Sequence, residues 1–241
     1  MTRRDILGQA GGLGGALAIG TAPAGVAGKL KVIVTGGHPG DPEYGCGGTI
    51  ARLTALGHEV VLLYLNNGEP AGKPGTGAIR MAEAKEACEI LKSRPIFAGQ
   101  IDGDAVVDRI HAESFRKIVQ SERPDVIFTH WPIDNHADHR ATSMLVYDSW
   151  LKLGKKFALY YYEVSNGEDT LQFQPTSYVD ITNTIESKRK ACFAHASQSP
   201  EKFYAMQEQV TKFRGVERGF RQAEGFIRHV QSPDLALSLV V

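Results

Sequence analysis

Two short stretches of the chain gather side chains that can hold a metal ion and move protons. The first reads Gly36-Gly37-His38-Pro39-Gly40-Asp41-Pro42-Glu43, with Gly47-Gly48-Thr49 just beyond. An imidazole and a carboxylate three positions apart in a tight Pro/Gly loop can converge on one point. The second reads His130-Trp131-Pro132-Ile133-Asp134-Asn135-His136-Ala137-Asp138-His139-Arg140, with two imidazoles again three apart and carboxylates at 134 and 138. Histidine nitrogen and carboxylate oxygen are both zinc ligands, and three protein ligands with one open position make a catalytic zinc site. Each cluster taken by itself also reads as a polar network. His58, His111 and His229 stand alone and read as surface or hydrogen-bonded histidines.

The surrounding sequence alternates strand and helix patterns. Leu30-Lys31-Val32-Ile33-Val34-Thr35 is a β-rich run that ends at Gly36-Gly37, directly before His38. Helical spacing follows over 49–56, then a continuous apolar run at 59–65 of the kind a strand buried on both faces shows. A Gly/Pro-rich loop spans 66–78, a helix 79–91, a short strand 95–98 and a helix 104–120. The next strand, Val126-Ile127-Phe128-Thr129, runs into the second cluster. A helix over 138–153 and strands over 157–164 and 178–181 come next, and helices are predicted at 183–197, 200–213 and 223–229. This order predicts an α/β fold, a Rossmann-like, mostly parallel sheet with helices on both faces. In such sheets ligands collect where strands end and helices begin. Both clusters stand at such points.

Composition narrows the function classes. The 241 residues carry 27 basic and 27 acidic side chains, so no net charge directs the chain to nucleic acid or to an anionic membrane. At 42% hydrophobic residues the chain can build a real core. Cys46, Cys88 and Cys192 are too few and scattered for a disulfide framework or a thiolate zinc finger. Cys88 and Cys192, on predicted helix faces, read as buried thiols, and Cys46 sits near the first cluster. Gly45-Cys46-Gly47-Gly48 is not a dinucleotide fingerprint. Tyr160-Tyr161-Tyr162 lies in a predicted strand and reads as sheet packing ahead of a sugar-stacking surface.

Residues 1–27 differ from the rest. Arg3-Arg4, a short Gly/Ala/Leu run and small residues before Ala24 and Ala27 compose a signal peptide of the twin-arginine type. The apolar run is too short and glycine-rich for a stable membrane span. Residues 28–241 are then one domain, exported by the twin-arginine translocase and periplasmic or secreted.

The paired motifs resemble the LmbE-like, or PIG-L, family of zinc-dependent de-N-acetylases, whose signatures are His-Pro-Asp-Asp with Gly-Gly-Thr, and His-Pro-Asp-His. Here they read His38-Pro39-Gly40-Asp41 with Gly47-Gly48-Thr49, and His136-Ala137-Asp138-His139. Asn67-Gly68-Glu69, Arg80 and His195-Ala196-Ser197-Gln198 extend the likeness over most of residues 28–241. The resemblance implies one Zn²⁺ per chain on His38, Asp41 and His139, and His136 as oxyanion stabiliser or acid, kept cationic by Asp138. It also implies Arg80 at the substrate, an amino sugar or its oligosaccharide.

One position departs from the pattern. The residue that serves the family as general base is Gly40 here. Loss of a positioned base costs about 10²–10⁴-fold in rate. Glu43 and Asp134 are the local carboxylates for that duty. Each has a second reading, Glu43 as a packing or capping residue at a helix start and Asp134 as an orienter of its loop or of a ligand histidine. The departure also leaves open a non-catalytic zinc- or glycan-binding homologue, and an amidase acting on another acylated amine.

Overall fold

A computed structural model describes residues 28–164 and 170–233. The expected signal peptide, residues 1–27, lies outside the described residues. Seven strands among these form one sheet, in the order β3-β2-β1-β4-β5-β7-β6. The strands are β1 (Lys31–Gly36), β2 (Glu59–Pro70), β3 (Arg94–Asp102), β4 (Val126–His130), β5 (Ala158–Tyr162), β6 (Ser177–Asp180) and β7 (Ala223–Arg228). The first five are parallel, and β7 runs antiparallel between β5 and β6. The mostly parallel α/β sheet expected from the sequence is the observed one.

Strand periodicity divides the core. Val32, Val34, Leu62 and Tyr64 face one side of the sheet, toward α1 (Asp41–Ala55), α2 (Thr76–Leu91) and α5 (Ile185–Phe193). Ile33, Val61, Leu63 and Ile127 face the other, toward α3 (Arg109–Glu122) and α4 (Ala137–Lys152). Both faces are apolar, which is why these strands read as unbroken hydrophobic runs. A 3₁₀ turn (Ala196–Gln198) and α6 (Pro200–Val216) complete the chain.

Several boundaries differ from the sequence reading, and one element changes type. Residues 223–229, predicted helical, form strand β7, in which Tyr178 pairs with Gly225 and Tyr161 with Ile227. Pairing on both edges outweighs local propensity here. Helix α1 begins at Asp41, eight residues before the apolar spacing starts, because its first two turns bury glycines, Cys46 and Glu43. Strands β2 and β3 run on to Pro70 and Asp102. The three tyrosines of β5 are buried, and Tyr162 donates a hydrogen bond to the Thr35 carbonyl at 2.6 Å, so they serve the sheet. All three cysteines are buried and unpaired. His58 accepts from the Leu30 amide, His111 sits beside its helix cap Asp108, and His229 packs on Trp150. No helix among the described residues is long and apolar enough to cross a membrane.

A buried ion pair ties α1, α5 and β7 together. Lys188 donates to Glu224 and to the Tyr44 carbonyl, and Glu224 also accepts from the Gly48 and Thr49 amides. Truncating one partner strands a charge in the core, at a cost of about 3–5 kcal/mol. Lys188→Met is therefore expected to lower unfolding free energy by about that amount in urea titration, and an unchanged midpoint contradicts this role.

Candidate metal centre and active-site cavity

In the strand order β3-β2-β1-β4-β5, chain direction across the sheet reverses between β1 and β4. This is the crevice where open α/β sheets bind ligands. Both clusters leave the sheet there, the first into α1 and the second into α4. Gly37 permits the close approach: a Cβ on it would lie 3.0 Å from His139 Cδ2 and 3.3 Å from the Asp138 backbone. Gly40 turns the chain into α1 with φ of +113°, a conformation that side chains oppose.

Asp41 stands at the centre. Its Oδ2 accepts from the His38 amide at 2.8 Å and lies 3.3 Å from His38 Nδ1, 3.3 Å from His139 Nε2 and 3.2 Å from His130 Nε2. Each of the two proposed ligand imidazoles has its other nitrogen on a carboxylate. His38 Nε2 lies 3.1 Å from Asp138 Oδ2 and 3.1 Å from Asp102 Oδ1, and His139 Nδ1 lies 3.1 Å from Asp134 Oδ1. Carboxylates behind histidines in this way fix ring orientation and raise ligand basicity at metal sites. Ligand atoms of His38, His136 and His139 also fall within 4.8 Å of one another, as do those of Asp41, His130 and His139. The donor set, imidazole nitrogen with carboxylate oxygen, suits zinc.

The electrostatics are those of a site built for positive charge. Burial pushes the His38 imidazole down, but Asp41, Asp102 and Asp138 outweigh it and hold its pKa well above the usual value. His139 likewise overcomes burial through Asp41 and Asp134 and rises to about 9. Asp41 lies well below the carboxylate range, since His139 and His38 overcome its burial. His130, fully buried beside cationic His139, falls to about 4. His136 is lowered by burial and by the charges of His38 and His139.

The two clusters do meet, but two expected roles change. Asp138 does not hold the His136 ring with its carboxylate, whose oxygens serve His38, the Asn66 side-chain amide and the backbone amides of Gly103 and Ala105. His136 Nδ1 instead accepts the Asp138 backbone N–H at 3.2 Å. With that nitrogen accepting, a ring proton is left to Nε2, and burial together with the charges of His38 and His139 disfavours the cation expected there, although Asp138 favours it. Neither proposed carboxylate base lines the cavity. Glu43 is fully buried, accepting from the Tyr64 hydroxyl at 2.6 Å and lying 3.1 Å from His195 Nε2. Asp134 lies behind His139 and also accepts from the His136 amide and the Thr170 hydroxyl.

A cavity of about 280 Å³ opens over this cluster, with Arg80, Asp102, His136, His195 and Phe203 in its walls. Arg80 donates to the Pro39 carbonyl at 2.9 Å and lies 3.4 Å from Asp102. Three contributors escaped the sequence reading as site residues. His130 was a member of the second cluster without a role, Asp102 lay beyond the predicted end of its strand, and His195 was known only by resemblance. The available signal for Asp102 was its place just before Gly103, where a strand gives way to a loop.

In metal-free protein, ¹⁵N-detected imidazole titrations are expected to place His139 near 9 and His130 near 4. His139 is raised above its unfolded value, so its stabilising contribution is full below about pH 6.5 and is lost as pH rises through the folded pKa. Two rings titrating together near 6.5 contradict this network.

Comparisons with known proteins find similar sequences and a similar fold. The sequence pattern of the PIG-L family, described as GlcNAc-PI de-N-acetylase, matches residues 33–150, the stretch that holds both clusters. A diacetylchitobiose deacetylase from Thermococcus kodakarensis is 28% identical over 218 residues, covering 81% of this chain and 81% of that protein. The solved structure of a conserved protein from Thermus thermophilus is 28% identical with a TM-score of 0.75, covering 85% of this chain and 96% of that one. The N,N'-diacetylchitobiose deacetylase of Pyrococcus horikoshii, solved with an inhibitor, is 26% identical with a TM-score of 0.71, covering 85% and 87%. With both motifs inside the matched region, the chain is similar to the PIG-L, or LmbE-like, deacetylases over residues 33–150.

Proposed function

We propose that the chain is a zinc-dependent amide hydrolase that removes the N-acetyl group from an N-acetylglucosamine-type sugar or glycoconjugate. The observation that carries this reading is the convergence of His38, Asp41 and His139 on the floor of one cavity, each imidazole backed by a carboxylate. These three residues would hold one Zn²⁺. Zinc bound there supplies Lewis acidity toward the amide carbonyl and a lowered pKa for water.

The chain's own groups supply the rest. His136, with Nδ1 accepting the Asp138 amide and Nε2 left as the donor, donates to the oxygen on which negative charge develops. Arg80 and Asp102 place a cation and a carboxylate side by side on one wall, a pairing that binds vicinal hydroxyls as acceptor and donor. At about 280 Å³ the cavity lies just below the range for small-molecule sites, about 300–1,000 Å³, and suits one sugar ring over a long chain. The diacetylchitobiose deacetylases among the relatives support an amino-sugar substrate. Export, the expectation from the sequence of residues 1–27, would put that sugar outside the cytoplasm.

Purified, zinc-loaded protein is expected to release acetate from N-acetylglucosamine or N,N'-diacetylchitobiose, to stop when chelated, and to resume with added zinc. His139→Ala is expected to lose both zinc and activity, whereas His136→Ala keeps zinc and loses about 10²–10³-fold in kcat. Sugar binding without acetate release makes the chain a non-catalytic amino-sugar-binding protein. Full zinc stoichiometry in His139→Ala overturns the ligand assignment.

A further inference from the structure

Amide hydrolysis needs a group that accepts a proton from the attacking water, and most basic atoms around the cavity are already engaged. Both nitrogens of His38 and both of His139 face carboxylates. His136 Nδ1 is occupied by an amide proton. The Asp102 oxygens lie against His38 and Arg80. Glu43 and Asp134 are turned away. Among the described residues, two buried nitrogens of the cavity-lining side chains have no hydrogen-bond partner: Arg80 Nε, which can only donate, and Nδ1 of His195, on a fully buried imidazole whose Nε2 lies 3.1 Å from Glu43 Oε1. With Nε2 donating to that carboxylate, Nδ1 is the unprotonated, proton-accepting nitrogen.

His195 is also held where the chemistry would need it. Its segment is pinned to α2, one turn from Arg80, by Ser197, whose amide and hydroxyl both donate to Glu83 at 2.7 Å. The ring borders Gly40: a Cβ built there would lie 3.9 Å from His195 Cγ and Cδ2, and 3.8 Å from the Tyr44 ring. Position 40 carries no side chain, so the Cγ–Cδ2 edge of the imidazole borders open space there while Nε2 stays on Glu43.

We propose that His195, oriented by Glu43, is the proton acceptor and donor of the reaction, a role that rests on the deacetylase reading above. The water oxygen bonds to the acetamide carbonyl carbon as one of its protons passes to His195 Nδ1. When the C–N bond breaks, His195 returns that proton to the departing amine nitrogen. Acetic acid and the free amine leave, and the protein is unchanged. Glu43 steadies the imidazolium between the two transfers, as carboxylates do behind catalytic histidines.

The test uses zinc-loaded protein and two independent readouts. Long-range ¹H–¹⁵N spectra, with His195 assigned by its loss in His195→Gln, are expected to show a proton on Nε2, none on Nδ1, and a shift of Nδ1 when N-acetylglucosamine is added. A protonated Nδ1, or one that the sugar leaves unmoved, overturns the role whether or not acetate is released. In kinetics measured below the unfolding transition of each variant, His195→Ala and His195→Gln are expected to lose about 10²–10⁴-fold in kcat with little change in KM or zinc content. Added imidazole is expected to restore part of the loss in His195→Ala. Unchanged kcat, or a loss that follows zinc or melting temperature without rescue, assigns His195 to structure alone. Acetate release by the unaltered protein is read separately and decides the deacetylase reading itself.

Discussion

The site is organised by an excess of carboxylate over fixed positive charge in a space largely closed to water. Asp41, Asp134, Asp138 and Asp102 surround His38 and His139, and each touches at least one of these rings. Burying ionised carboxylates is costly unless positive charge comes with them. In metal-free protein the charge comes as protons, which is why both imidazoles are driven upward while Asp41 is driven down. A divalent cation can replace those protons without moving a ligand far. Ion binding and proton release are therefore two sides of one equilibrium in this cavity. His130 shows the limit of the arrangement: stacked 4.0 Å from His139, it is pushed toward neutrality by its own burial and then by the charge its neighbour carries.

That charge pattern can form only if two loops far apart in sequence come within van der Waals contact, and the sheet enforces this. Strands β1 and β4 are adjacent and parallel, in register from Val32↔Val126 to Val34↔Phe128, so their carboxyl ends project their loops to the same side. The hydroxyl of Thr35 donates to that of Thr129 at 2.8 Å and closes the seam just below the site. The Gly37 amide donates to His130 Nε2 at 3.0 Å, joining the two loops directly. Apolar strands buried on both faces thus give a rigid platform, and the polar residues at its rim inherit that rigidity.

The sequence shows the platform and the two clusters clearly, because continuous apolar runs and tight His/Asp spacings are local signals. What it hides depends on partners distant in the chain. Residues 223–229 have no strand signature of their own and extend only because β5 and β6 lie on either side. Asp102 was out of view because β3 continues past Ala98 against an irregular stretch of β2, where the register shifts between Tyr64 and Pro70. The direction of Glu43 is equally non-local: on the first turn of α1 it faces Tyr64 and His195, residues that sequence spacing cannot place beside it. Asp138 illustrates the same limit, since its carboxylate is claimed by amides at Gly103 and Ala105 in the loop that follows β3.

Gly40 looks like a simple loss when it is read as a missing carboxylate, but the backbone gives it a second meaning. At φ of +113° the residue bends the chain so that the Asp41 carboxylate can take the His38 amide while its own helix begins. A β-carbon there meets no clash, its nearest neighbours being 3.8 and 3.9 Å away, so the obstacle to a side chain is torsional and not one of space. Aspartate restored at this position would have to pull the loop out of that conformation or carry its strain, and the loop also delivers two of the three proposed ligands. Chemistry at position 40 and geometry at 38 and 41 are therefore coupled. A chain that keeps glycine here keeps the bend, and it must draw its proton-transfer group from a wall built by a different part of the fold.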